Sequence, residues 1–353
     1  MMLHGGDLAQ AIEQFGGTTS SWLDLSTGIN PHAYPIPNGL AANIWQNLPG
    51  QAALDHLLGA ARKAYDCPEA LSLAAGPGTQ VLISQIPYVL PEGPVILCGP
   101  TYSSHAASFA RAGRAPEEVS TPHALPERAK VAVIVNPNNP DGRLIDPQSL
   151  LFIAREFTNR GGALVLDEAF ADVMPGASLL PHITNENVLI LRSFGKFFGL
   201  AGLRLGFMAA APHIARKMTE RLDSWAVSGP ALEIGRIALN DDKWQASMVR
   251  QLADEVADLT ICLGENGLGV FGGTPLYALA SHQQAHALHQ ALAKRHIWTR
   301  IFDYAPTWMR FGLPGSKTKL DRLSEALQEA QSELASSDIP NKPAGNRQRR
   351  RKR

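Results

Sequence analysis

The run Ser193-Phe194-Gly195-Lys196-Phe197-Phe198-Gly199-Leu200-Ala201-Gly202-Leu203-Arg204 directly follows an apolar, β-rich stretch at residues 188–191. A lysine just after a strand, with a hydroxyl three residues before it and a guanidinium eight after it, joins a nucleophilic amine to two anion-binding groups. Such an amine condenses with a carbonyl, while the serine and arginine serve a phosphate on the same molecule. A surface lysine in a glycine-rich loop is the plainer alternative. It is set aside because both partners stand at useful offsets and further motifs upstream fit the same chemistry.

Working outward, residues 71–208 alternate short β-rich runs with helical stretches, the pattern of a parallel sheet with crossover helices. Strands are expected at 95–98, 131–135, 163–166, 188–191 and 204–209. The runs at 131–135 and 163–166 are continuously apolar and therefore buried on both faces. In such open α/β sheets ligands gather beyond the carboxyl ends of the strands. The polar motifs fall there.

Gly76-Pro77-Gly78-Thr79-Gln80 opens a helix expected over 80–89, where free backbone N–H groups and close approach at glycine favour a phosphate. Pro100-Thr101-Tyr102 follows another strand, and Tyr102 offers a ring to stack on a flat heteroaromatic group or to pack as an ordinary rim tyrosine. Asn136-Pro137-Asn138-Asn139-Pro140-Asp141-Gly142 is a tight turn by composition, with the Asn139 amide available to a phenolic oxygen. Asp167, in Asp167-Glu168-Ala169-Phe170, ends a buried strand, where a carboxylate is costly unless paired. A protonated pyridine nitrogen is a partner that resolves this cost, and pyridoxal 5'-phosphate joins that nitrogen to an aldehyde and a phosphate. Glu168 points the other way and reads as structural. Arg310, between apolar neighbours in Trp308-Met309-Arg310-Phe311-Gly312, suits a bidentate grip on a substrate carboxylate or phosphate, or a plain ion pair.

The 353 residues exceed what one core usually holds. We expect an N-terminal segment (1–44) that joins a small domain, a large cofactor domain (45–235), the small C-terminal α/β domain (236–335) and a disordered basic tail (336–353). Helices are expected at 52–65, 211–223 and 244–264, with residues 22–37 as loop. Six of the last eight residues are basic, so the rest carries 26 basic against 32 acidic residues, a net of −6. That balance points away from a nucleic-acid binder and makes the tail a solvated one. Cys67, Cys98 and Cys262 lie far apart in no metal-ligand spacing, which with the absence of a signal-like start suggests a reducing cytoplasm. No apolar run reaches the ~18 residues of a membrane span.

The ordered set GPGTQ, PTY, NPNNPDG, DEAF and SFGKFFGLAGLR resembles the fold-type I pyridoxal-phosphate enzymes of the class I/II aminotransferase superfamily, over roughly residues 20–330. The resemblance implies an α/β fold with a mostly parallel central sheet, a smaller α/β domain built from both termini, and a homodimer. It implies Lys196 as the Schiff-base lysine, Asp167 as the pyridinium partner, Asn139 on the ring hydroxyl and Tyr102 stacked on the ring. Gly78, Thr79, Gln80, Ser193 and Arg204 would hold the phosphate, and Arg310 the substrate carboxylate. Within the superfamily, His4-Gly5-Gly6-Asp7 and Leu25-Ser26-Thr27-Gly28-Ile29-Asn30-Pro31 are similar to the opening of threonine-phosphate decarboxylases of cobalamin biosynthesis, with His4 and Asn30 as candidate substrate contacts. Phe170 stands where most aminotransferases have tyrosine, and Leu48 where relatives often place a tyrosine that reaches the neighbouring subunit. The expected activity is decarboxylation of a phosphorylated amino acid, L-threonine O-3-phosphate. The alternatives are a histidinol-phosphate type aminotransferase and, more remotely, a non-catalytic nucleic-acid-binding regulator.

Overall fold

A computed structural model of the chain describes residues 6–337. In chain order its strands are β1 (Leu23–Asp24), β2 (Ser72–Gly76), β3 (Val95–Cys98), β4 (Glu117–Val119), β5 (Val131–Val135), β6 (Ala163–Asp167), β7 (Val188–Ser193), β8 (Gly206–Ala210), β9 (Gly269–Thr274), β10 (Tyr277–Ser281), β11 (Ile297–Trp298), β12 (Arg300–Ile301) and β13 (Trp308–Gly312). Seven form one sheet in the order β2-β8-β7-β6-β5-β3-β4. Its pairs from β4 through β7 are parallel, and β8 runs antiparallel to both of its neighbours.

Alternation along the central strands explains why they read as unbroken apolar runs. On β5, Ala132 and Ile134 face a core shared with the helices Gln51–Ala64, Pro147–Asn159 and Gly229–Leu239. Val131 and Val133 face a second core against the helices Thr79–Val89, Ser104–Arg111 and Pro212–Leu222. Neither face meets water, so neither carries polar residues. Local signals agree with this packing. The helix Pro147–Asn159 begins with proline in its first turn, and Asp146 accepts a hydrogen bond from the Ser149 N–H as its N-cap.

The remaining strands form a four-stranded antiparallel sheet, β12-β13-β10-β9, and a parallel pair, β1-β11. Through that pair, Leu23 and Asp24 meet Ile297 and Trp298, which ties the N-terminal segment to the C-terminal part of the chain. Residues 22–37, expected as loop, thus contain a strand too short to show a period. β4 was not foreseen either, because Glu117-Glu118-Val119 is a polar edge with no apolar run. The last helix runs Lys317–Ser337, so it includes the first two residues of the expected tail. The rest of that tail, and His4, lie outside the described residues. No helix among the described residues is long and apolar enough to cross a membrane.

Candidate active site

The carboxyl ends of β3, β5, β6 and β7, with the turn after β2, surround a cavity of about 210 Å³. Gly78 forms one wall as N-cap of the helix Thr79–Val89, at φ +84°. Any residue with a side chain would be strained at that φ, and its Cβ would also push on Nη2 of Arg204, 2.5 Å away. β8 passes just as closely, since a Cβ at Gly206 would stand 2.5 Å from the Thr79 nitrogen. Arg204 itself takes a left-handed backbone, φ +55°, with Nη1 donating to the Ala201 carbonyl at 2.9 Å. That conformation costs energy for any residue with a side chain. Ser193, buried at the end of β7, lines the same cavity.

Lys196 follows on the short helix Phe194–Phe197, half-buried at the cavity wall, its Nζ 5.6 Å from the centre of the Phe170 ring. Burial first, then the positive charge of Arg310, lower its pKa to about 8; Asp167 pulls the other way, and Arg204 adds the smallest push down. The neutral amine is the nucleophile. Its reaction with an aldehyde is therefore expected to accelerate about tenfold per pH unit up to about 8 and level off above, as read by borohydride trapping and peptide mass spectrometry. In the unfolded chain the same amine titrates near 10.5, so between about 8 and 10.5 the unfolded chain holds more protons. Stability contributed by this group rises with pH across that window.

On the floor, Asp167 accepts at 2.8 Å from Nε2 of His105 and at 3.0 Å from the Ala169 N–H. With the proton on Nε2, the imidazole is a fixed donor that holds the carboxylate in one rotamer. Nδ1 of His105 is buried with no partner among the described residues. Glu168 faces away into a buried cluster, accepting from Nη1 of Arg192 at 3.0 Å, from Ser178 at 2.6 Å and from the Leu179 N–H at 2.7 Å. Arg192 also pairs with Asp172. Burial raises the Glu168 pKa, and these partners oppose it.

Two further contacts set donors for a ligand. Arg310, 7% exposed, donates through Nη1 to Oδ1 of Asn139 at 2.6 Å and through Nη2 to the Ser26 carbonyl at 2.7 Å. With its oxygen occupied, Asn139 keeps its Nδ2 donors for the cavity. Tyr102 donates to Oε1 of Gln80 at 2.8 Å. Phe170 meets Tyr277 edge-on with centroids 5.3 Å apart, and the Tyr277 hydroxyl is spent on the Asn138 carbonyl at 2.8 Å. No hydroxyl on Phe170 or Tyr277 is therefore left to do what a tyrosine at position 170 would do.

Gly78, Thr79, Gln80, Tyr102, Asn139, Asp167, Ser193, Lys196, Arg204 and Arg310 all line this one cavity. Its lining holds Lys196, Arg204 and Arg310 against a single carboxylate, Asp167, so it is built for an anion. Asn30, expected as a substrate contact, does not line it. Its Nδ2 donates to the Phe197 carbonyl at 2.8 Å and its Oδ1 accepts from the His32 N–H at 2.8 Å, so both ends of the amide are spent. Sequence reasoning also missed His105 and Thr27, the latter a lining residue. A buried glycine, a half-buried lysine and the exposed guanidinium of Arg204, converging beside the buried carboxylate of Asp167, fit the phosphate, aldehyde and ring nitrogen of pyridoxal phosphate.

A sequence profile described as aminotransferase class I and II matches residues 46–327. The chain belongs to this family. It is 40% identical over 328 residues, 92% of this chain and 97% of the other, to a protein of Sinorhizobium sp named threonine-phosphate decarboxylase. A protein of the same name from Pseudomonas aeruginosa is 36% identical over 329 residues, 93% of this chain and 97% of the other. The fold is that of a histidinol-phosphate aminotransferase from Sinorhizobium meliloti solved in complex with pyridoxal-5'-phosphate, with TM-score 0.76 at 20% identity over 95% of this chain and 99% of that one.

Proposed function

We propose that this protein decarboxylates L-threonine O-3-phosphate to (R)-1-amino-2-propanol O-2-phosphate, with pyridoxal 5'-phosphate as cofactor, to supply the aminopropanol linker of cobalamin. The observation that carries this reading is the near-full-length likeness to two proteins named threonine-phosphate decarboxylase. The geometry supports a substrate with two anionic groups, one inside the cavity at Arg310 and one beyond its lining at Arg300. Arg300 on β12 stands directly across from Arg310 on β13, and like charges placed opposite each other on a sheet are destabilising unless anions come between them. Burial lowers the pKa of both guanidiniums. Arg300 has no carboxylate within ion-pair distance among the described residues.

When bound, pyridoxal phosphate supplies an aldehyde for the lysine and a ring that takes up the electron pair released at the substrate Cα. Arg204, Ser193 and the Gly78–Thr79 backbone hold its phosphate, Asp167 keeps a proton on the ring nitrogen, and Asn139 donates to the ring oxygen. Lys196 carries protons at Nζ. Arg310 takes the substrate carboxylate and Arg300 the substrate phosphate. Orientation at Cα selects the bond that breaks, so the division of the two anions between the two guanidiniums decides whether CO₂ or a proton leaves.

Replacing Arg300 with alanine is expected to raise KM for threonine phosphate by about tenfold or more while kcat changes less, since a charge-assisted contact to the non-reacting end is lost. An unchanged KM would remove Arg300 from the substrate site. We further propose a cytoplasmic homodimer that binds no nucleic acid. Trp45, 66% exposed, lines a groove with Leu200 and Leu203 just past Lys196, and Leu48, 68% exposed, lies in sequence between its lining residues Asn47 and Pro49, a surface suited to a second copy. The deciding experiment incubates the cofactor-loaded protein with threonine phosphate and no oxo acid. Sustained CO₂ release with aminopropanol phosphate formed is the expected result. No CO₂, with amino transfer from histidinol phosphate that requires an oxo acid, would make it an aminotransferase.

A further inference from the structure

We infer that Asn30 is a positioning residue for Lys196, and that the strap from Ser26 to Tyr34 joins the lysine loop to Arg310. The main-chain N–H of Asn30 donates to the Lys196 carbonyl at 3.0 Å, and its side-chain Nδ2 donates to the Phe197 carbonyl at 2.8 Å. The Tyr34 N–H donates to the next carbonyl, that of Phe198, at 2.8 Å. Three successive carbonyls of the lysine segment are thus held by one strap, and Asn30, 2% exposed, supplies two of the donors. The strap and the loop touch so closely that a Cβ at Gly199, where φ is +66°, would lie 2.7 Å from both the Ala33 Cα and the Asn30 carbonyl oxygen.

The strap is anchored at both ends. The Ser26 carbonyl accepts from Nη2 of Arg310 at 2.7 Å, and the Gly312 N–H donates to the Leu25 carbonyl at 2.7 Å. At the far end His32 meets Glu255 at 2.6 Å and the Tyr34 hydroxyl donates to Asp241 at 3.1 Å, both gripping the start and middle of the helix Asp242–Glu265. A segment fixed at Arg310 and at this helix has little freedom to slide, and Asn30 transfers that fixity to the backbone beneath the amine. Misplacement of a reacting group by about 1 Å costs on the order of 100-fold in rate. The inference rests on the reading of Lys196 as the reactive amine.

The test compares Asn30→Ala and Asn30→Ser with wild type, each loaded with pyridoxal phosphate. Serine keeps an oxygen for the His32 N–H, while its hydroxyl, one bond shorter than the amide, falls short of the Phe197 carbonyl, so it preserves the turn and should fold even where alanine does not. Both variants are expected to lower kcat about tenfold or more with KM within about threefold, and to release cofactor about tenfold faster by absorbance in the absence of substrate. A raised KM with intact kcat would make Asn30 a substrate contact and overturn the inference, as would wild-type behaviour of Asn30→Ser. Cofactor release needs no substrate. A protein that frees no CO₂ but whose variants shed cofactor faster would sink the decarboxylase reading alone, and unchanged release in a CO₂-forming enzyme would sink this inference alone.

Discussion

Lys196→Ala is expected to yield a folded protein whose turnover is lower by about four orders of magnitude or more, roughly 5 kcal/mol of lost barrier lowering. The visible absorbance of lysine-bound cofactor should vanish as well. The fold should survive because the Lys196 amine lies at the wall of a cavity and its charge is opposed there by Arg310 and Arg204. Removing a disfavoured cation leaves the melting temperature unchanged or slightly raised, most visibly below pH 8, where the lysine of the wild type is charged. A variant that keeps either the absorbance band or wild-type turnover would show that another amine carries the chemistry.

The second large effect is expected at Asp167. Alanine there removes the one carboxylate lining the cavity and strands Nε2 of His105, whose Nδ1 already lacks a partner among the described residues. Cofactor should still bind, held by Arg204, Ser193 and the helix start, but about tenfold more weakly, and kcat should fall by about 100-fold or more. Orphaning a buried donor adds a stability cost of about 1–3 kcal/mol, visible as a lower melting temperature without ligand. Spectroscopic titration and steady-state kinetics separate the two losses. Full turnover with only the stability loss would mean that Asp167 serves His105 and nothing else.

The parts of this molecule legible in advance were those whose physics is local. β5 and β6 read as buried strands because a run with no polar residue has nowhere to go but between two layers. Lys196, Ser193 and Arg204 were legible because one turn brings them together within a dozen residues. What escaped depends on contacts between distant segments. His105 sits in an ordinary helix, and only the pairing of that helix with the end of β6 brings it to Asp167. Arg300 gains meaning from its register with Arg310 across two short strands, which no period announces. Asn30 was expected at the substrate, whereas its amide is engaged by the Phe197 carbonyl and the His32 N–H. A buried amide serves a backbone carbonyl or a ligand equally well, and composition does not distinguish them.

The left-handed backbone at Arg204 sets foldability against ligand capture. A side chain held there costs about 1–2 kcal/mol relative to glycine, which takes the same φ freely. Variants of position 204 ranked by thermal stability without ligand will therefore favour glycine, while the same variants ranked in the presence of a phosphate ligand will favour arginine. A stabilised version of this protein evolved without its ligand would drift away from the residue that captures it.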